Sequence, residues 1–478
     1  MAVWLARWWP LVAVLGLVAC SGGGGGAGGG AAGSAGAGGT SSPAPLRAGA
    51  AVVDITPGTG APLAGYGGDP RRLLDARTIP LNLLAIAGVC FDPDPSDAAV
   101  LFQPARGVHD PITARALVLE RGGRRLALIK LDTVGVSGKL RRDLEAIAAG
   151  LGIAPADLMV TATHTHSGPG AVADERLWQI VAVDCFHEAT YRGMLQGCER
   201  ALLQAVAALA PAELGAGVAQ EHRASRNRSG RPGVVDPELG LIKVVARQGG
   251  APIAAVLNFA VHGTALGPDN LLFSADVMGY AERELEARLG GGVALFVNGA
   301  EGDVAPAAGG YSGAQAVGTL LAETAAALWP AIATSTSPEL RTAYELVPMP
   351  APSYNVGCLP IPGAGTDACN FLPGVVLPLL PEWLPRQLPF QAWRLGEVAI
   401  ATVPGEPITE IGLAIKQQGA ALGFAHTFVA GLANDHMGYV TTLAEYVRAD
   451  YEGRSTLYGP QTGQLVIDAA ARQLAGVR

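Results

Sequence analysis

This chain has little charge and few of the sequence devices that mark common enzyme classes. Only 15% of its 478 residues are charged, the formal net charge is -8, and no Lys/Arg block is present to neutralise phosphates, which excludes nucleic acid as a partner. There is no Gly-x-Ser-x-Gly elbow, so a serine mechanism of the α/β-hydrolase kind has no support. His187-Glu188 begins like His-Glu-x-x-His, but Tyr191 stands where the second histidine belongs, and the metalloprotease helix is absent. The glycine run near the N-terminus has no strand before it and no Lys-Ser/Thr after it, so it is not a phosphate loop. No cysteine pair has CxxC spacing, which removes a cysteine-based zinc site and thioredoxin-like chemistry.

What is there begins with an export signal. An apolar run from Trp8 to Ala19 is shorter than the roughly 20 residues needed to span a bilayer, and Leu17-Val18-Ala19-Cys20 places small residues before a cysteine. The pattern reads as a lipoprotein signal over residues 1–19, with cleavage before Cys20 and diacylation of its sulfur. Ser21, uncharged, directs such a protein to the outer membrane, so the expected location is exported and lipid-anchored in the cell envelope. Membrane attachment is then through lipidated Cys20. Residues 20–45 hold little but Gly, Ala, Ser, Thr and Pro, a flexible tether with nothing to form a core. The remaining span, 46–478, is expected to fold as one domain. With 65 Gly, 34 Pro and 49% hydrophobic residues, the chain reads as a loop-rich globular enzyme with no evident protein partner.

Beyond Cys20 there are Cys90, Cys185, Cys198, Cys358 and Cys369. Cys358 and Cys369 share a Gly/Pro-rich loop and form the expected disulfide; Cys185 and Cys198 lie in helix-like sequence, where a pairing stays open. Three segments read as strand hairpins: Ala114 to Leu119 with Arg125 to Asp132, Leu241 to Ala246 with Ile253 to Ala260, and Phe390 to Arg394 with Val398 to Val403. Helical periodicity appears in Leu140 to Ala149, Thr190 to Leu209, Ala275 to Leu289, Ala314 to Leu328 and Ile408 to Leu422. Hairpins alternating with long helices predict an α/β fold with mixed β-sheets and helices packed outside. The charges from Glu282 to Arg288 are expected on a solvated helix face, and His109, His222 and His426 outside any site.

The polar residues are placed with more regularity. Apolar strand-like runs end at Thr163-His164-Thr165-His166, Asn258 to His262, Asn298 to Asp303, Gly405-Glu406-Pro407 and Asn434 to Tyr439. Loops that follow buried strands in this way gather on one rim, where ligands bind. Any one of these histidines alone is ordinarily a satisfied imidazole. Taken together, His164, His262 and Glu406, completed by Tyr439, suggest a Zn²⁺ site on loops at strand ends. His166 is either a further ligand or a group that orients water or substrate.

The motifs Asp54-Ile55-Thr56-Pro57, Leu63-Ala64-Gly65-Tyr66-Gly67, Thr163 to Pro169, Asn227-Arg228-Ser229, Asn258 to Thr264, Gly302-Asp303-Val304, Pro404-Gly405-Glu406, Gly431 to Asn434 and Gly438 to Thr442 together resemble the neutral/alkaline ceramidases. The Tyr451-Glu452-Gly453 to Tyr458-Gly459-Pro460 segment agrees. The resemblance implies a zinc-dependent amidohydrolase acting on linear amides, with metal ligands at His164, His262, Glu406 and Tyr439 and with His166 and Arg228 beside the substrate. It implies hydrolysis of ceramide or a related N-acyl lipid to a fatty acid and a sphingoid base or amine, by zinc-activated water. Two departures stand out. Ala305 replaces the family's serine, and the chain stops before the immunoglobulin-like domain that fuller members carry. His436 stands in place of a tyrosine and is read as a neighbour of the site. Ala305 also motivates the rival reading, a non-catalytic envelope lipoprotein that keeps the fold as a binding module.

Overall fold

The structure is a computed structural model and describes residues 44–68, 70–73, 90, 98–229, 234–357 and 375–478. The expected signal and most of the tether, and the Cys358–Cys369 pair, lie outside the described residues.

Twelve principal strands form two sheets. They are β1 (Arg47–Asp54), β2 (Thr113–Arg121), β3 (Arg124–Leu131), β4 (Leu158–Ala162), β5 (Ala210–Gln220), β6 (Glu238–Ala246), β7 (Pro252–Phe259), β8 (Val293–Asn298), β9 (Leu340–Pro348), β10 (Gln387–Leu395), β11 (Val398–Thr402) and β12 (His426–Ala430). The first eight make one sheet in the order β8-β7-β6-β5-β1-β2-β3-β4, and the last four make a second in sequence order. Both are mixed. The pairs β3/β4, β7/β8 and β11/β12 are parallel, and the other neighbours run antiparallel. All three expected hairpins are present, as β2/β3, β6/β7 and β10/β11. The first turns at Gly122-Gly123, whose φ values of 60 and 82 are those a two-residue hairpin turn requires of both central residues.

Five long helices match the periodic segments, α1 (Gly138–Ala149), α2 (Glu188–Ala207), α3 (Asp276–Leu289), α4 (Gly310–Leu328) and α5 (Thr409–Ala421), and a sixth, α6 (Thr462–Gly476), was not expected. Alternation along β2 decides which layer each side chain enters. Ala114, Ala116 and Val118 face α1 and α2, where Leu140, Leu144, Met194 and Leu202 pack. Leu117 and Leu119 point the other way, into a core shared with Ile242, Leu295, Trp393, Ile400 and Phe428 of both sheets. Each such buried side chain contributes roughly 1.5–3 kcal/mol. Helices α3 and α4 cover the β6–β8 end of the large sheet, and α5 and α6 cover the small one. The result is four layers, helix, sheet, sheet, helix.

Two expectations need correction. Glu282 is not on a solvated face: it is buried, and its Oε2 lies 2.8 Å from Lys130 Nζ and 3.0 Å from Arg115 Nε. Lys130 also meets Asp132 at 2.6 Å, so α3 is tied to the sheet by a buried ion network. Cys185 pairs with Cys90, and Cys198, expected as a possible partner, is a buried free thiol. Cys198 faces the α2 core and cannot reach Cys185, which lies in the loop before that helix.

Candidate metal centre

The large sheet curls until its end strands β8 and β4 approach each other, and Asn298 joins them. Its Nδ2 donates to Thr163 O at 2.9 Å and to Val261 O at 2.8 Å, while its Oδ1 accepts from Val261 N at 3.1 Å. The residues after β4 and β7 are therefore held side by side. Glu406 and Tyr439, which follow β11 and β12, are held together by a two-residue parallel pairing of Glu406–Pro407 with Tyr439–Val440. These loops leave the C-terminal ends of strands in parallel pairs and meet on one rim.

His164 enters this rim with φ of 68, a left-handed conformation that costs a non-glycine residue about 1 kcal/mol or more. Its backbone N–H donates to Thr133 O at 3.0 Å, and its Nδ1 lies 2.6 Å from Val134 O. Because a carbonyl only accepts, Nδ1 carries the proton and Nε2 presents a lone pair. The same logic fixes His262, whose Nδ1 lies 2.7 Å from Glu301 O. The two Nε2 atoms stand 3.2 and 3.4 Å from Glu406 Oε2, yet that oxygen has no hydrogen-bond partner. Acceptors face acceptors there. His166 Nε2 lies 3.2 Å from His164 Nε2, and Tyr439 Oη lies 3.3 Å from His262 Nε2.

This donor set fits a divalent transition metal. Tetrahedral ligands about 2.0–2.1 Å from zinc stand roughly 3.3 Å from one another, the spacing found here. Mixed imidazole, carboxylate and phenol donors suit a borderline ion better than the all-oxygen shells of calcium or magnesium. The electrostatics agree. Burial, Arg228 and His164 bring the His262 imidazole down to about 3, and burial with the neighbouring imidazoles holds His166 well below its ordinary value. Burial alone would raise the Glu406 carboxyl, but His164, His262 and His436 outweigh it and hold it well below the carboxylate range. The neutral His262 and His166 imidazoles thus accompany an ionised carboxylate. One donor from each of His164, His166 and His262 lies within 4.8 Å of the others.

Arg228 closes one side. Its Nη2 donates to Tyr439 Oη at 2.8 Å and to Gly302 O at 2.9 Å, and its Nε donates to Glu452 Oε1 at 3.0 Å. All six residues expected at the site are therefore brought together. His436 is also adjacent: its Nε2 lies 3.3 Å from Glu406 Oε1, without the alignment of a hydrogen bond. Gly65 permits the packing of His166, since a Cβ at that position would lie 2.5 Å from the ring. His164, His166, Glu406 and Tyr439 form the floor of a cleft of about 490 Å³ whose walls include Val172, Leu177, Trp178, Val183, Met194 and Leu457. An apolar cleft with a few converging polar groups is the usual form of a small-molecule site.

Sequence reasoning did not single out Glu301, Asn298 or Glu452. The first two lie in a stretch recognised only as a polar strand end, and Glu452 lies in a segment used only as part of the resemblance.

A donor cluster on loops at strand ends, sunk in an apolar cleft, is the layout of a ligand-binding site. The family model described as neutral/alkaline non-lysosomal ceramidase, N-terminal, matches residues 96–319 and 374–468. This chain belongs to that family. It is 27% identical to a neutral ceramidase of Pseudomonas aeruginosa over 458 residues, covering 77% of this chain and 68% of that protein. It is 25% identical to a neutral ceramidase of Mycobacterium tuberculosis, covering 75% of this chain and 70% of that one. The crystal structure of the Pseudomonas aeruginosa neutral ceramidase superposes with a TM-score of 0.72 over 91% of this chain and 75% of that chain, at 24% identity, a likeness of fold. The enzyme is accordingly a hydrolase with the family's mixed α/β architecture.

Proposed function

We propose that this chain is a zinc-dependent amidohydrolase that cleaves the amide bond of ceramide or a related N-acyl lipid, releasing a fatty acid and a sphingoid base or amine. The observation that carries the reading is the convergence of unprotonated Nε2 atoms from His164 and His262 on the Glu406 carboxylate at the floor of an apolar cleft, in a chain of this family. His164, His262, Glu406 and Tyr439 would hold the ion. When bound, zinc supplies Lewis acidity, polarising an amide carbonyl and lowering the pKa of water to about 7.

The protein's own groups do the rest. The apolar cleft walls would take the acyl and sphingoid chains out of water, leaving the polar amide to the donors that line the cleft. Arg228, fixed by Tyr439, Gly302 and Glu452, offers a cation to negative charge developing on the carbonyl oxygen. His166, neutral and at the floor, is placed to take a proton from the attacking water and pass it to the departing amine. Ala305 carries no hydroxyl, so the attacking group is water. We extend the proposal to the N-terminal region: residues 1–19 as a lipoprotein signal, Cys20 as the lipidated residue, 20–45 as a tether, and the cell envelope, at the outer membrane, as the location.

Metal analysis of purified protein alongside N-acyl-sphingosine turnover, with and without chelator, tests the enzyme reading. Bound zinc and chelator-sensitive turnover are expected, and His164→Ala or His262→Ala should lose both. Full turnover by metal-free protein would overturn it, and a metal-free, inactive wild type would favour the binding module. Cys20→Ser should shift the protein from the membrane fraction to the soluble one.

A further inference from the structure

Glu301 is a buried carboxylate that neither the family resemblance nor the site as described so far uses. It follows β8 in the Asn298 to Asp303 loop, is 0% exposed, and neither carboxylate oxygen has a hydrogen-bond partner among the described residues. Its backbone carbonyl accepts from His262 Nδ1, so the residue is already fixed next to one ligand. Its side chain packs closely on Gly431, where a Cβ would come within 2.7 Å of Glu301 Oε2. In front of it are His164 and Glu406. One donor atom of each of these three residues lies within 4.8 Å of the others.

A buried carboxylate without partners is strongly unfavourable unless a cation meets it. Arg228, a nearby cation, is already engaged by Tyr439, Gly302 and Glu452. Burial and the neighbouring Glu406 push its pKa up, yet as a neutral acid it makes no hydrogen bond to a described residue either. We propose that Glu301 is a further ligand of the zinc ion, so that this chain adds a second carboxylate to His164, His262, Glu406 and Tyr439. The inference rests on the zinc reading above. Two carboxylates would balance the charge of the ion inside a region with few other compensating groups.

Zinc binding by competition with a chromophoric chelator tests this without reference to turnover. The proteins are wild type, Glu301→Gln, which keeps the shape and removes the charge, and Glu301→Asp, which keeps the charge and withdraws the oxygens by one methylene. Both variants should bind zinc about 10–100-fold more weakly than wild type, and the metal-free Gln variant should melt no lower than metal-free wild type. Wild-type affinity in Glu301→Gln would overturn the assignment, as would wild-type affinity in Glu301→Asp alone, which would mean that charge acts without coordination. If one variant fails to fold, the other decides. A wild type that binds no zinc would instead sink the underlying zinc reading.

Discussion

His164, with its left-handed backbone and its Nδ1 proton given to Val134, shows how a single residue is prepared for a ligand before the ligand arrives. Arg228 is prepared in another way, by three fixed hydrogen bonds. Arg228→Lys loses the planar fork that makes them, and turnover should fall about 10²-fold while zinc content stays near wild type, measured by steady-state kinetics and metal analysis on the same sample. Gly65 combines φ of 101 with a Cβ position 2.5 Å from the His166 ring. Gly65→Ala should therefore displace His166, lower kcat, and reduce stability by about 1 kcal/mol or more, read by denaturant titration. His164, His262, Glu406 and Tyr439 were legible in the sequence because each lies in a polar run that ends an apolar strand-like segment, with Gly or Pro within or close after it. Glu301 obeys the same rule but was not legible. Its burial depends on the curl that brings β8 against β4, a property of the whole sheet and not of neighbouring residues.

At the scale of elements, the hairpins and five of the long helices could be read directly, because alternation and 3.6-residue periodicity are local signals. The strand order was not legible, since β5 and β1 pair across a long stretch of chain that leaves no pattern in either. The same limit explains Glu282. On a helical wheel it belongs to a charged stripe, yet Lys130 and Arg115 lie inside the sheet beneath α3 and draw that stripe inward. Glu282→Ala takes one carboxylate from both buried cations, leaving Lys130 with Asp132 and Arg115 with Glu286, and a loss of about 3 kcal/mol is expected, measured as a drop in the denaturation midpoint. The cysteines failed for a related reason. Cys90 and Cys185 are 95 residues apart with Cα atoms 5.0 Å apart, and only the folded loops bring them together.

At the scale of the molecule, the donors of one site come from both sheets: His164 and His262 from the large one, Glu406 and Tyr439 from the small one. A bound ion would cross-link the two layers. Chelation should lower the melting temperature by several degrees, reversibly with zinc, since ligand binding to the folded state alone adds RT ln(1 + [L]/Kd); an unchanged melting temperature would contradict the link. The stability curve should also carry a mark of Asp276, which burial raises to about 6. A raised carboxyl adds stability below its unfolded value of about 3.9 and loses it as pH rises through 6. Relative to wild type, Asp276→Asn should gain about 2–3 kcal/mol between pH 4 and pH 7, by denaturation at each pH. Finally, the Cys90–Cys185 bond clasps the cleft wall just after Val183, and the neighbouring Asp184 carboxylate accepts from the N–H groups of Val100, Leu101 and Phe102. On the proposed function, the wall that would take the alkyl chains is therefore braced by a disulfide, separately from the metal donors. A batch matured without oxidant should hold its ion normally yet recognise lipid poorly, with KM raised more than kcat is lowered.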